Sequence, residues 1–284
     1  MNNGGVQGCG VIYLAFGAPY LAIALRSIRS LRETNPGLPV CLVTNCPVEA
    51  SQIDLLDPSD SIVVLEESQA RNRSIKTSIN KISPFERTVF LDCDTVVMGS
   101  LANGFRFLDN FDLAFRLNPY PQTRKGKADI KIMEGLTVGD CPHWNSGVMF
   151  FAKRPETDLF FERWNQNFEA LENGYDQVSL VKTIFEDRGR VLSLDIKWNA
   201  SDTILGRKKW RRQAKVFHYA SNISNRLSRE LLHEAETMKV SLEGIVQDTQ
   251  NFINRKRAQK KGTNRPPEIC GSHGTLARFA AGLM

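Results

Sequence analysis

Apolar positions along this chain fall into two alternating patterns, one strand-like and one helix-like. "GVIYLAFG" (10–17) is an unbroken apolar run closed by a glycine, which predicts a buried strand. In the following "PYLAIALRSIRSLRETNPG" (19–37), Leu21, Leu25, Ile28 and Leu31 recur at helical spacing, with Arg26, Arg29 and Arg32 on the other side. Pro19 marks the start of that helix and Asn35-Pro36-Gly37 its end. "PVCLVTN" (39–45) and "SIVVLEE" (61–67) predict two more strands. "NRSIKTSINKISPF" (72–85) predicts a helix with Ile75, Ile79 and Ile82 on one face. "TVFLDCDTVV" (88–97) reads as a buried strand that runs into two aspartates. "FDLAFRL" (111–117) and "SGVMFFA" (146–152) are further strands. Residues 118–143 between them read as a long loop, basic at the front, with the profile of an active-site lid or a partly disordered segment. "ETDLFFERWNQNFEALENG" (156–174) predicts a helix with Leu159, Phe160, Trp164, Phe168 and Leu171 inward. "DQVSLVKTIFED" (176–187) predicts another helix, and "VLSLD" (191–195) and "KVFHYA" (215–220) two short strands.

Strand, helix, strand, strand, helix, strand is an α/β order. Apolar strands without polar alternation predict a mostly parallel central sheet covered by helices on both faces. In such sheets ligands bind at the C-terminal ends of the strands. From about residue 228 the character changes. "SRELLHEAETMKVSLEGIVQDTQNFINRKRAQKK" predicts a long helix in which Leu231, Met238, Ile245 and Phe252 are seven apart, a short heptad seam. It either packs back on the core, pairs with a second copy or lies at a membrane edge. The expected organisation is a catalytic domain over 1–225, a helical extension over 226–262 and a flexible tail over 263–284.

Bulk composition narrows this picture only a little. The 284 residues are 42% apolar and 24% charged, which suits one large soluble domain, or one domain with an appendage. No apolar stretch is long enough for a membrane span, and the N-terminus lacks the basic-then-apolar pattern of a secretory signal. Six cysteines are scattered without a C-x-x-C pair, so a reduced, cytoplasmic setting is expected and a zinc site is not. The net charge of +6 is uneven: "RKKWRRQAK" (207–215) and "RKRAQKK" (255–261) are strongly basic. These runs read either as solvated surface or as a face for an anionic partner such as nucleotide phosphates or acidic lipid. No specific nucleic acid is expected, and peripheral membrane contact through the basic tail stays open.

Candidate chemistry centres on Asp92 and Asp94, separated by Cys93. Residues i and i+2 of a strand share a face. An extended backbone here therefore brings two carboxylates together at a strand's C-terminal end. Two like charges that close repel unless a cation, a shared proton or open solvent lies between them. Three readings follow. One is a solvated strand-end loop. The second is a haloacid-dehalogenase-type phosphatase: "DCDTVV" fits its D-x-D-x-[TV]-[LV] signature, with the first Asp as nucleophile. Against it, two α/β units come first, and the downstream acidic motifs for magnesium are missing. The third is a glycosyltransferase in which the pair holds Mn²⁺ or Mg²⁺ against the diphosphate of a sugar nucleotide. A nucleotidyltransferase on a related fold would want a Gly-rich basic loop after the first strand, and "AFGAPYL" is a poor match.

Beyond D-x-D, five blocks occur in one order: "YLAFGAPYLAIALRSIRSL", "KTSINKISPFERTVFLDCDTVV", "WNSGVMFF", "GYDQVSL" and "VFHYA". Together they resemble the glycogenin-like enzymes of glycosyltransferase family eight, from about residue 10 to 221. The resemblance implies a retaining, metal-dependent hexosyltransferase with a Rossmann-like type-A glycosyltransferase fold. The implied substrates are a nucleotide-sugar donor, expected to be a UDP-hexose, and an acceptor that the sequence does not identify. It implies Asp92, Asp94 and His218 as metal ligands. Phe16, Gly17 and Tyr20 would hold base and ribose, and Lys76 the diphosphate or donor sugar. Asn145 and Ser146 would hydrogen-bond donor sugar or acceptor, with Asp176 and Gln177 beside the anomeric carbon. One departure stands out. The family often follows its histidine with a glycine and a diphosphate-gripping lysine, whereas this chain has "HYASNISNR". Arg226 or a residue of 207–215 is the expected substitute. A catalytically degenerate protein that only binds sugar nucleotides is the remaining alternative.

Overall fold

The structure is a computed structural model that describes residues 8–48, 57–66, 72–118, 128–171, 176–187, 189–200 and 213–218. The expected helix over 228–261, the tail, Arg226, the front of the 118–143 loop and most of the 207–215 cluster lie outside the described residues. No described helix is long and apolar enough to cross a membrane.

Seven strands form one sheet in the order β10-β6-β9-β4-β1-β2-β3. They are β1 (Cys9–Ala15), β2 (Val40–Thr44), β3 (Ser61–Val64), β4 (Arg87–Leu91), β6 (Leu113–Leu117), β9 (Trp144–Ala152) and β10 (Val191–Leu194). β3, β2, β1 and β4 are mutually parallel, and so are β6 and β10. β9 lies between β4 and β6 and runs antiparallel to both. The sheet is therefore mixed and mostly parallel. Two small ribbons stand apart from it among the described residues: β5 (Thr95–Val97) with β11 (Val216–His218), and β7 (Lys131–Met133) with β8 (Leu136–Thr137). The last falls inside the segment expected to be loop.

Strand alternation divides the core into two layers. Val11, Tyr13 and Ala15 face α1 (Ala18–Thr34), where Leu21, Leu25, Ile28 and Leu31 are buried as their spacing predicts. Ile12, Leu14 and Phe16 face the opposite layer, which holds α4 (Pro155–Ala170) and α5 (Asp176–Glu186). Phe160, Phe161 and Trp164 of α4 are buried there, with Phe115 and Phe151 of the sheet against them. Leu159 does not join them and is 62% exposed. One residue back from Phe160 is a step of about 100° around the helix, away from Trp164, so Phe161 takes the inward place.

The helix expected over 72–85 is two short pieces, α2 (Asn72–Lys76) and a 3₁₀ turn at Ile79–Lys81. Thr77 and Ser78 break it. Their backbone N–H groups donate to Ser74 and Ile75, three residues back, and both hydroxyls donate to the same carbonyls. Hydroxyl side chains that compete for backbone acceptors tighten a helix in this way. The remaining short helix, α3 (Ala102–Arg106), packs under β4 on the α1 side.

Candidate metal centre

The apolar run of β4 stops at Leu91, and residues 92–94 form a turn before β5 begins at Thr95. The two aspartates are thus brought together by a turn rather than by an extended strand. Three contacts set it. The Thr95 hydroxyl donates to the Asp92 carbonyl (2.8 Å). The Asp92 N–H donates to the Gly147 carbonyl of β9 (2.8 Å). The Cys93 thiol donates to the Leu14 carbonyl (3.0 Å), tying the turn to the end of β1. β5 is then fastened to α1, because Ser27 and Thr95 hydroxyls bond at 2.9 Å and Val97 N–H donates to Ser30 Oγ at 2.9 Å. These serines sit within the apolar stripe of α1 and are fully or nearly buried.

β11 supplies the third group. Its antiparallel register puts His218 opposite Thr95, beside Asp94. The ligand atoms of Asp92, Asp94 and His218 all lie within 4.8 Å of one another. His218 Nε2 is 3.2 Å from Asp94 Oδ1 and 3.7 Å from Asp92 Oδ2. Burial pushes the Asp92 carboxyl up from its ordinary range, and Lys76 and His218 only partly oppose this. Burial alone would lower His218, but Asp94 and then Asp92 outweigh it and raise its affinity for a proton. Two carboxylate oxygens and one imidazole nitrogen converging on one spot, negative in sum, form a donor set for a divalent cation. Gly147 keeps that spot open: a Cβ there would lie 2.1 Å from His218 Cε1 and 2.6 Å from Asp92 Oδ2. The residues present therefore fit a metal ion.

Lys76 and Asp176 flank this centre. Lys76 ends α2 with its ammonium buried, 2.8 Å from Asp92 Oδ1, 3.5 Å from Asp176 Oδ2 and 4.8 Å from the centre of the Phe90 ring. Burial opposes its charge, yet Asp92 and Asp176 more than compensate and hold it protonated. Asp176 opens α5, where an acid suits the helix dipole. Its carbonyl accepts from Trp164 Nε1 (3.0 Å) and its carboxylate from Ser146 Oγ (2.5 Å). Burial acts against the ionised form of Asp176, but Lys76 and Ser146 prevail and lower its pKa. Gln177 follows, half-buried, in the same first turn.

Of the residues expected from the sequence, Asp92, Asp94, His218, Lys76, Asp176, Ser146 and Asn145 form one connected cluster. Phe16, Gly17 and Tyr20 lie at the β1–α1 turn, on the same sheet edge because β1 and β4 are parallel neighbours. Gly17 has φ of 84°, the region glycine enters without strain, and its N–H donates to Asn45 Oδ1 (2.7 Å). The Phe16 ring is packed into the core, whereas Tyr20 is 44% exposed. Asn45, Gly147 and Asn199 also belong to this site, where no expectation placed them. Asn199 is fully buried and donates from Nδ2 to Asn145 Oδ1 (2.9 Å) while its Oδ1 lies 3.1 Å from His218 Nδ1. The signal was present for Gly147, inside "WNSGVMFF". Asn199, in "KWNA", has none beyond its place after a core tryptophan.

This architecture, with an acidic turn at the end of a central strand, is the type-A glycosyltransferase fold. Solved structures that share it include an active-site mutant of LgtC (TM-score 0.56, 15% identity, 82% of this chain and 98% of that one). The galactosyltransferase LgtC in complex with donor and acceptor sugar analogs is similar at TM-score 0.54 and 14% identity, with the same coverage. The apo form of mouse xyloside xylosyltransferase 1 is similar at TM-score 0.54 and 16% identity, covering 75% of this chain and 98% of that one. No family model and no curated protein sequence matches the chain.

Proposed function

We propose that this chain is a metal-dependent glycosyltransferase that moves a hexose from a nucleotide sugar, a UDP-hexose, to an acceptor hydroxyl with retention. The observation that carries the reading is the convergence of Asp92, Asp94 and His218 at the C-terminal edge of a type-A glycosyltransferase sheet. Support comes also from LgtC, which has this fold and was solved with donor and acceptor sugar analogs.

In this reading Asp92, Asp94 and His218 hold Mn²⁺ or Mg²⁺. When bound, the ion acts as a Lewis acid on the donor's diphosphate and offsets the charge of the leaving nucleoside diphosphate. Lys76 adds a fixed positive charge beside Asp92 and Asp176, suited to an anionic donor. The Gly17 turn and the exposed Tyr20 ring take the base and ribose. Asn145, Ser146 and Asp176 bind sugar hydroxyls and align the acceptor with the anomeric carbon. Gln177 stabilises the oxocarbenium-like transition state.

The test is nucleoside diphosphate release from a panel of UDP-, GDP- and ADP-sugars, with Mn²⁺ and with EDTA. Release from one donor, abolished by EDTA and reduced by on the order of 10²-fold or more in Asp92→Asn, is expected. Full turnover in a correctly folded Asp92→Asn protein would sink the reading. Phosphate release from simple esters instead would support the phosphatase.

A further inference from the structure

We infer that Asn199 is the positioning residue of the metal centre: it fixes the tautomer of His218 and links that ligand to Asn145. The inference rests on the metal reading above. It follows from one hydrogen-bond donor whose identity is certain, the backbone N–H of Gly147, which meets Asn145 Oδ1 at 2.8 Å. That contact makes the inward atom of Asn145 an oxygen. The group of Asn199 that meets the same oxygen at 2.9 Å must then be its NH₂. With the NH₂ so committed, the atom Asn199 turns to His218 Nδ1 at 3.1 Å is its oxygen. Nδ1 therefore carries the hydrogen, and in the neutral ring the lone pair belongs to Nε2, which faces Asp92 and Asp94. Orientation passes along Gly147, Asn145, Asn199 and His218 without a break.

Asn199 is itself held rigidly. It is fully buried, and its carbonyl accepts from Arg116 Nη1 at 2.7 Å. The next residue binds β11 on both sides: Ala200 N–H donates to Val216 O (2.8 Å), and its carbonyl accepts from His218 N–H (2.7 Å). The same amide serves two functional groups. With its oxygen taken by two donors, Asn145 keeps only its NH₂ for a substrate. A partner that orients a ligating histidine through its other ring nitrogen is commonly worth 10- to 100-fold in metal affinity.

The experiment uses the whole chain labelled with ¹⁵N-histidine, together with Mn²⁺ titrations followed by EPR, and needs no donor or turnover. In the wild type, Nδ1 of His218 should carry a slowly exchanging hydrogen bonded to the Asn199 oxygen, seen in its one-bond ¹H–¹⁵N coupling. Asn199→Ala should mix the tautomers and weaken Mn²⁺ binding by about 10- to 100-fold. Asn199→Asp, which keeps an acceptor toward Nδ1, should recover most of that affinity. A wild-type His218 with no hydrogen on Nδ1, or Mn²⁺ affinity in folded Asn199→Ala within about twofold of wild type, would overturn the inference. If Asn199→Ala does not fold, the wild-type tautomer decides. A wild type that binds no Mn²⁺ would instead remove the metal reading, leaving the tautomer spectrum to decide for or against the hold of Asn199 on His218.

Discussion

Lys76 is the most informative residue to neutralise. Its ammonium is 2.8 Å from Asp92 and 3.5 Å from Asp176, buried against Phe90. Lys76→Met keeps the length of the side chain and removes the charge, leaving two carboxylates without their shared cation. Removing one member of a buried ion pair costs roughly 3–5 kcal/mol. The Asp92 side chain is 28% exposed and the Asp176 side chain 11%, so water recovers part of that for Asp92. We expect a loss of about 2–4 kcal/mol in EDTA. A divalent cation on Asp92 and Asp94 replaces part of the missing charge, so Mn²⁺ should stabilise the variant more than the wild type. Each tenfold excess of free Mn²⁺ over its Kd adds about 1.4 kcal/mol. Urea unfolding of both proteins, with EDTA and with Mn²⁺, measures all four stabilities. A variant within about 0.5 kcal/mol of wild type in EDTA, or one that Mn²⁺ stabilises less than wild type, would refute the charge balance drawn here.

Gly147→Ala should cost about 1–3 kcal/mol through overpacking and should weaken Mn²⁺ binding, since the new methyl meets His218 and Asp92; calorimetric titration with Mn²⁺ checks it, and unchanged affinity would mean that β9 can retreat. The Asp112 carboxyl is buried, which opposes its ionisation, but bonds from Arg190 and Arg154 overcome this and hold its pKa below the ordinary range. Its contribution to stability is present above the unfolded value of about 3.9 and is lost as pH falls through the lower folded value. Asp112→Asn should therefore lower stability at pH 7 and flatten the acid limb of the urea midpoint, and parallel limbs for the two proteins would show that the pair contributes nothing.

What could be read in advance was what continuous local patterns encode. The β1–α1–β2 unit was legible because uninterrupted apolar runs flank a helix whose leucines recur at its own period. The direction of β9 was not, since "SGVMFFA" is equally apolar in either sense and only its place between β4 and β6 makes it antiparallel. Asp92 and Asp94 were visible as a pair, but the turn that joins them depends on Thr95, Cys93 and Gly147, the last far along the chain. Lys76 announced itself only through the block it belongs to. Its contact with Asp176 joins two helix ends about a hundred residues apart, which no period reports. Asn199 was missed for a related reason: a single asparagine in a short turn looks like any loop residue until His218 and Asn145 are seen on either side of it.

The pairing of β5 with β11 has a consequence for the order in which the protein is made. Every described strand of the large sheet has left the ribosome once β10 has emerged. His218 comes out later, on a strand that belongs to no part of that sheet. The nascent chain can close its hydrophobic layers while its acidic turn still lacks one ligand. A metal that takes His218 as a ligand must wait until that residue has emerged, and a product that stalls before β11 would carry the large sheet with only two of the three candidate ligands.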